Sequence, residues 1–350
     1  AIDFFGKVPL VTEATPLGKT PPAQATRQQV YDYVVAELTA IKPLLPAPGA
    51  GQYGRADQGA VNMLLANVYL NALVYTGTPR WTEALNAASA AIAGPYTLDA
   101  TYIRMFSADN HTSPELIFSV PQDGVKTQSY GGTTFLVHAN VGGAMNASTY
   151  GVDGGWWGLR AKPDILNVID TTGVDGRSSF IFKTGQTRAM SNLTDFTNGY
   201  GTPKWRNVTA AGAPGQRQDF ADTDFPIFRL GEAYLIYAEA TLRGATGGNA
   251  ATALGYINAL RTRAYGNASG NIAAPALTLG FILDERAREL FWEGKRRTDL
   301  IRFGQFSSAG VWAWKGGTQA GAVTGAFRDL YPLPALELIS NPNLTQNTGY

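Results

Sequence analysis

The chain contains no cysteine. Disulfides, thiolate nucleophiles and thiolate metal sites are therefore excluded together, and this chain carries no thiol through which it could be lipid-anchored. Histidine is almost as scarce, with His111 and His138 alone, so a His-rich metal centre or several His-dependent triads are close to excluded. Charged residues make up 16% of the 350 residues, and 28 basic against 27 acidic side chains leave a formal net charge of +1. A field that small neither gathers a nucleic acid nor holds the chain on an anionic membrane. No apolar run approaches the length of a bilayer span, and no signal-peptide pattern opens the chain. There is no HExxH motif, no GxSxG elbow and no glycine-rich phosphate loop between a strand and a helix. Glu115, Asp153, Asp164 and Asp170 are scattered acids whose spacing does not show two of them converging on a scissile bond. An enzyme is not the expected reading, and no cofactor or metal is expected.

What is present is a globular composition, 45% hydrophobic with 40 glycines, whose polar surface falls to Asn, Gln, Ser and Thr and suits neutral polar partners. The first helix is expected at Gln28–Lys42, with Thr26 and Gln29 as a capping box and Tyr31, Val34, Val35, Leu38 and Ile41 as its apolar stripe. A second is expected at Gln58–Tyr75. Thr78-Pro79 signals the start of a third, which carries Trp81, Leu85, Ala88 and Ile92. A further hairpin is expected from Arg229–Arg243 and Asn249–Ala264, and a last helix from Thr278. Its outer face should carry Asp284–Arg288 and Glu293–Arg297 pairs as a solvated or salt-bridged stripe. Small alanines at the helix contacts and nearby aromatics give both hairpins a tetratricopeptide-like character. The fold class is thus mostly α, with tetratricopeptide-like hairpins and a long irregular, partly β, ligand-facing region. We read 1–350 as one domain, with a helical scaffold at 26–95 and 226–306 and the irregular region at 96–225. The apolar opening Ala1–Val11 reads as the end of an element, and an N-terminal portion is expected to precede it.

Within 96–225, Glu115–Pro121 reads as a strand, and 122–158 is rich in Gly, Asn and aromatics without a sustained period. A loop of that length inside a compact protein is usually functional or disordered, and its aromatics argue for order and function. The candidate site is Tyr130, Tyr150, Trp156 and Trp157 as stacking faces, with Asn140, Asn146 and Asp153 as hydrogen-bonding partners and His138 nearby. Sugar rings offer an apolar C–H face and a rim of hydroxyls, which a flat aromatic and an Asn or Asp receive respectively. The competing reading is that the tryptophans anchor the loop to the core. Trp312, Trp314 and Tyr331 read as core packing, and Trp205 as buried rather than as a groove edge.

Several segments resemble one family in order along the chain. Asp3-Phe-Phe-Gly-Lys-Val-Pro-Leu-Val11, Gly59–Leu70 with Trp81 and Tyr96-Thr-Leu98, and the Glu115–Val120 strand are similar to its conserved-looking blocks. So are Phe228–Ala240, the block Ile282–Leu290 with Glu293-Gly-Lys-Arg296 and Asp299–Arg302, and the closing Pro332-Leu-Pro334 and Asn341–Asn347. The family is SusD/RagB. The resemblance implies a helical protein on the outer face of a Bacteroidetes-type outer membrane, lipid-anchored through an N-terminal Cys that this chain does not contain. It implies an oligo- or polysaccharide ligand and a SusC-like, TonB-dependent barrel as partners. Ligand residues vary within the family, so none carries over by motif. A peptide receptor of the same architecture, a helical glycoside hydrolase and a structural adaptor stay open as alternatives.

Overall fold

The computed structural model describes residues 1–15, 18 and 20–350. Helix accounts for 41% of it and strand for 7%, as the helical periodicity requires. Near the start, β1 (Val8–Pro9) pairs antiparallel with β2 (Gln24–Ala25). Helix α1 (Arg27–Ile41) follows, and its capping box is formed: Gln29 N–H donates to Thr26 Oγ1 at 3.2 Å and Thr26 N–H to Gln29 Oε1 at 2.8 Å. The expected second helix is broken at Asn71 into α2 (Gln58–Leu70) and α3 (Ala72–Thr76), which Gly77 closes in the left-handed region. Helix α4 (Trp81–Ile92) begins later than Thr78-Pro79 suggested, and its N-cap Arg80 makes no side-chain cap.

Strand β3 (Leu116–Val120) pairs antiparallel with β6 (Phe225–Arg229), which runs directly into α6 (Leu230–Leu242). Between them lie α5 (Gly132–Ala139) and the small pair β4 (Arg160–Ala161) with β5 (Tyr200–Gly201). Helix α5 corrects the expectation of a region without helix: eight residues give barely two turns, too few for a period to stand out. Helix α7 (Ala250–Tyr265) is capped by Asn249, which accepts from Thr252 N–H at 3.0 Å. Thr278 likewise caps α8 (Leu279–Glu289), and α9 (Arg296–Arg302) and the short α10 (Ala335–Ser340) complete the chain.

One core joins α2, α4, α6, α7 and α8. Ala66, Ala84, Ala88, Ala233, Ala240 and Ala253 are fully buried where these helices meet, because a methyl side chain lets two backbones approach closely. Leu70, Leu235, Ile257 and Ile282 fill the space between, each worth roughly 1.5–3 kcal/mol on burial. A second core lies beneath the irregular region and centres on Trp205. That indole is fully buried, stacks on Phe225 at 5.2 Å and 12°, and donates to the Trp292 carbonyl at 3.2 Å. Trp314, half-buried, donates to the Met190 carbonyl at 2.6 Å. Tyr331 departs from the core expectation: it is exposed, resting against Phe4 with Arg297 over its ring.

The two cores are joined by buried charges. Arg229 donates to Glu115, Glu289 and Glu293 at 2.9, 2.7 and 2.7 Å. Arg177, from the irregular region, pairs with Asp175, Glu285 and Glu289 at 2.7, 2.8 and 2.9 Å. Arg263 bridges Glu115 and Glu289, and Lys204 donates to Glu293 at 2.7 Å. Burial alone would raise the Glu289 carboxyl, but the guanidiniums of Arg263, Arg229 and Arg177 hold it well below the usual range. Burial draws the Lys204 ammonium down to about 8 against the pull of Glu293. The stripe expected to be solvated or salt-bridged is salt-bridged, but its partners are not the expected Asp284–Arg288 and Glu293–Arg297 pairs. Glu293 turns inward to Arg229 and Lys204, Arg288 pairs with Glu285 at 2.7 Å, and Arg297 reaches Asp3 at 3.2 Å.

Candidate functional site

Helix α5 is the floor of the site. Thr133, Thr134, Val137 and His138 face inward, and Phe135 is left on the outer side. Thr134 Oγ1 accepts from the Ala221 N–H at 3.0 Å, which ties the 216–222 loop to the helix. The 150–159 loop is laced to the helix end. Trp156 N–H donates to the His138 carbonyl at 2.8 Å, Trp157 N–H to Val141 at 3.1 Å and Leu159 N–H to Ala139 at 2.7 Å. Two glycines permit this. A Cβ at Gly155 would collide with the Val141 carbonyl, and one at Gly142 would lie 2.8 Å from the Trp157 ring.

These contacts present a continuous aromatic surface. Trp156 stacks on the buried His138 ring at 4.8 Å and 19°. Its neighbours are Tyr130 at 6.3 Å and Phe135 at 6.1 Å, and Tyr130 in turn meets Phe220 at 5.2 Å. Tyr130 is 68% exposed, Trp156 41% and Phe135 43%, so the rings face solvent as a group. The imidazole Nδ1 lies 2.9 Å from the Gly154 carbonyl, to which it donates. Asp153 extends beside it, with Oδ1 3.9 Å from the same nitrogen and 60% of the side chain in solvent. On the far rim the Arg217 guanidinium lies 5.9 Å from the Phe220 ring and forks onto Asp219 at 2.7 and 2.7 Å. That hydrogen bond draws the Asp219 carboxyl below its usual range.

The structure therefore brings together Tyr130, Trp156 and Asp153 of the expected set, with His138 beneath them. Trp157 is exposed too, but turns the other way onto Phe196 at 5.8 Å, from a left-handed backbone with φ 58°. Asn146 is exposed and caps the turn Ala147–Tyr150, its Oδ1 accepting from Ser148 N–H at 3.2 Å. It shares no ring or hydrogen-bond contact with the Tyr130–Trp156 surface. Two residues are corrected. Tyr150 is buried in the second core with Arg206 over its ring, and burial raises its phenol above the ordinary value. Asn140 is fully buried, its amide donating to the Leu136 carbonyl at 2.5 Å and its oxygen accepting from Thr202 at 2.6 Å. Neither can meet a ligand at this surface. Phe135, Phe220, Arg217 and Asp219 were not anticipated. Phe135 was hidden by the missed helix, and the Gln218-Asp-Phe-Ala-Asp222 stretch carries no pattern that announces a ring.

A cavity of about 810 Å³ lies elsewhere, between α8, α9 and the chain around Val311. Leu283, Leu290, Leu300, Phe303 and Phe306 line it. Of its cations, Arg286 pairs with Asp299, Lys295 with Glu232 and Arg297 with Asp3, whereas Arg160 and Arg296 donate only to backbone carbonyls. That largely apolar wall offers little to a rim of hydroxyls, so the aromatic surface is the better candidate. Among the described residues no group of three or more His, Asp or Glu side chains is placed to hold a metal ion. No described helix is long and apolar enough to cross a membrane.

Residues 115–350 match the SusD family. The whole chain is also 33% identical, over 398 aligned residues, to the starch-binding protein SusD of Bacteroides thetaiotaomicron, covering 70% of that protein. The chain belongs to the SusD family. Solved structures of the same fold superpose on it throughout. The surface glycan-binding protein A of Bacteroides fluxus gives a TM-score of 0.78 at 22% identity, over 100% of this chain and 74% of that one. The surface glycan-binding protein A of B. thetaiotaomicron, in complex with laminarihexaose, gives 0.75 at 23% identity, over 99% and 74%. A SusD superfamily protein of Parabacteroides distasonis gives 0.76 at 24% identity, over 100% and 75%. SusD-family proteins are non-catalytic binding proteins, so the scattered carboxylates noted in the sequence need no hydrolytic role.

Proposed function

We propose that this protein captures oligosaccharides at the outer face of an outer membrane and passes them to a SusC-like, TonB-dependent barrel. The observation that carries the reading is the run of exposed rings Phe135, Trp156 and Tyr130, continued by the half-buried Phe220. Adjacent rings are inclined by 43–55°, so successive sugars find successive faces along a bent chain. Trp156 and Tyr130 supply the stacking platforms, and Asp153 accepts from hydroxyls. The starch-binding relative supports a glycan rather than a peptide as cargo. In this reading the helical segments 26–95 and 226–306 are the scaffold of a single domain, and 96–225 is the part that meets the ligand.

Titration calorimetry of the purified protein against a panel of oligo- and polysaccharides, with product analysis of the same samples, tests the proposal. Binding to a glycan class without cleavage, lost in Trp156→Ala, is the expected result. Released sugar products, or binding indifferent to Trp156, would overturn it. Glycan uptake by cells that lack the barrel but keep this protein would sink the delivery step.

A further inference from the structure

The charges around the aromatic surface are arranged in a way that the rings alone do not require. Asp153 projects into solvent beside Trp156, and neither carboxylate oxygen accepts a hydrogen bond from another described residue; its one near neighbour, His138 Nδ1, is committed to the Gly154 carbonyl. Arg217 is the cation that touches the rings, and both arms of its fork are already held by Asp219. Lys126, on the loop leading to Tyr130, points at Asp123, 3.9 Å away. Each cation near the surface thus faces an acid, and the group left over is a free carboxylate.

We infer that the surface selects neutral, hydroxyl-rich glycans and rejects those bearing carboxylate or sulfate groups. This rests on the glycan-binding reading above and adds the chemical class of the ligand. A sugar stacked on Trp156 places its rim of hydroxyls against Asp153, which accepts their protons in charge-assisted hydrogen bonds. An anionic substituent at the same place meets a like charge, and the cations nearby, Arg217 and Lys126, already face Asp219 and Asp123. To pair with Arg217 it must displace a bidentate carboxylate. Like charges set against each other at an interface are a device for rejecting the wrong partner, and the penalty is screened as salt rises.

The test uses a neutral oligosaccharide that binds, and the same oligosaccharide with its hydroxymethyl groups oxidised to carboxylates. Both are titrated into wild type and Asp153→Asn at low and at high salt. The expected result is at least about tenfold weaker binding of the oxidised form to wild type at low salt, with the ratio shrinking at high salt and in Asp153→Asn. Equal or tighter binding of the oxidised form, still dependent on Trp156, overturns this inference and leaves the glycan reading standing. A ratio that Asp153→Asn does not change overturns the role given to Asp153. If no neutral glycan binds at all, the glycan reading itself fails and this inference falls with it.

Discussion

Glu289 and Asp153 are both carboxylates, and the molecule uses them in opposite ways. Glu289 is fully buried among the guanidiniums of Arg177, Arg229 and Arg263, whereas Asp153 stands in solvent and touches neither a guanidinium nor an ammonium group. The tryptophans divide in the same way: Trp205 is sealed into the second core, while Trp156 shows 41% of its surface. The buried set spends nearly all its oxygens and nitrogens on one another, with the Arg263 Nε left over. The exposed set is held in place by backbone hydrogen bonds and a stacked histidine, with its own valences left open. The irregular region needs both. Arg177 and Lys204 fasten it to the scaffold from below, and that support lets a surface of rings stay ordered without burying itself. A region with so little regular structure holds its shape only if something over-determines it.

The comparison can be broken most severely from below. Glu289→Ala leaves three buried guanidiniums short of a partner. We expect a loss of about 3–5 kcal/mol in urea unfolding, with glycan binding lost because the support is lost. A denaturation midpoint equal to that of wild type would show that the network is idle.

Acid attacks the same part. Glu285, Glu289 and Glu293 all have folded-state carboxyls held below their ordinary value, by Arg177, by Arg263 and by Arg229 respectively, against the opposing effect of burial. A depressed carboxyl contributes stability above its unfolded value, and that contribution is lost as the pH falls through the folded one. Thermal stability should therefore be flat through neutral pH and fall progressively below about pH 4.5. A melting temperature that holds steady from pH 7 to pH 3 would contradict the assignment.

From above, the expected effects fall on binding instead. Trp156→Ala removes a central ring and should cost about 2 kcal/mol of affinity or more, while changing stability by less because the ring is half in solvent. If stability fell further than affinity, Trp156 would be a loop anchor and the bland reading of the sequence would be right. Tyr150→Phe sharpens the contrast from the other side. The ring stays in the core, and its hydroxyl makes no hydrogen bond to another described residue. Affinity should be unchanged and stability within about 0.5 kcal/mol. Weakened glycan binding in this variant would return Tyr150 to the site.

The candidate site was legible in part, for a physical reason that particular residues show. Tyr130, Trp156 and Asp153 stand out in the sequence because large rings and an acid among Gly and Asn have the right chemistry. Tyr150, in the same stretch and of the same composition, is core. Nothing local separates them, because burial is decided by what arrives from elsewhere. For Tyr150 that is Trp205, Phe106 and Arg206; for Phe220 it is Tyr130. The Glu293–Arg297 pair failed in the same way. Four residues apart promises neighbours on a continuous helix, but α8 ends at Glu289 and frees Glu293 to turn inward.

By itself the sequence determined the helices of the scaffold, because apolar spacing, Thr26, Asn249 and Thr278 caps and alanine contacts are local properties written in neighbouring residues. It also carried the family, whose blocks recur in order along the chain. The tertiary structure alone decided which carboxylates are spent on arginines and which stay free, and which rings are core and which are platform. Those outcomes depend on pairs separated by tens to hundreds of positions, such as Glu115 with Arg229 and Lys204 with Glu293. No period or spacing along one stretch of chain encodes the meeting of two distant ones.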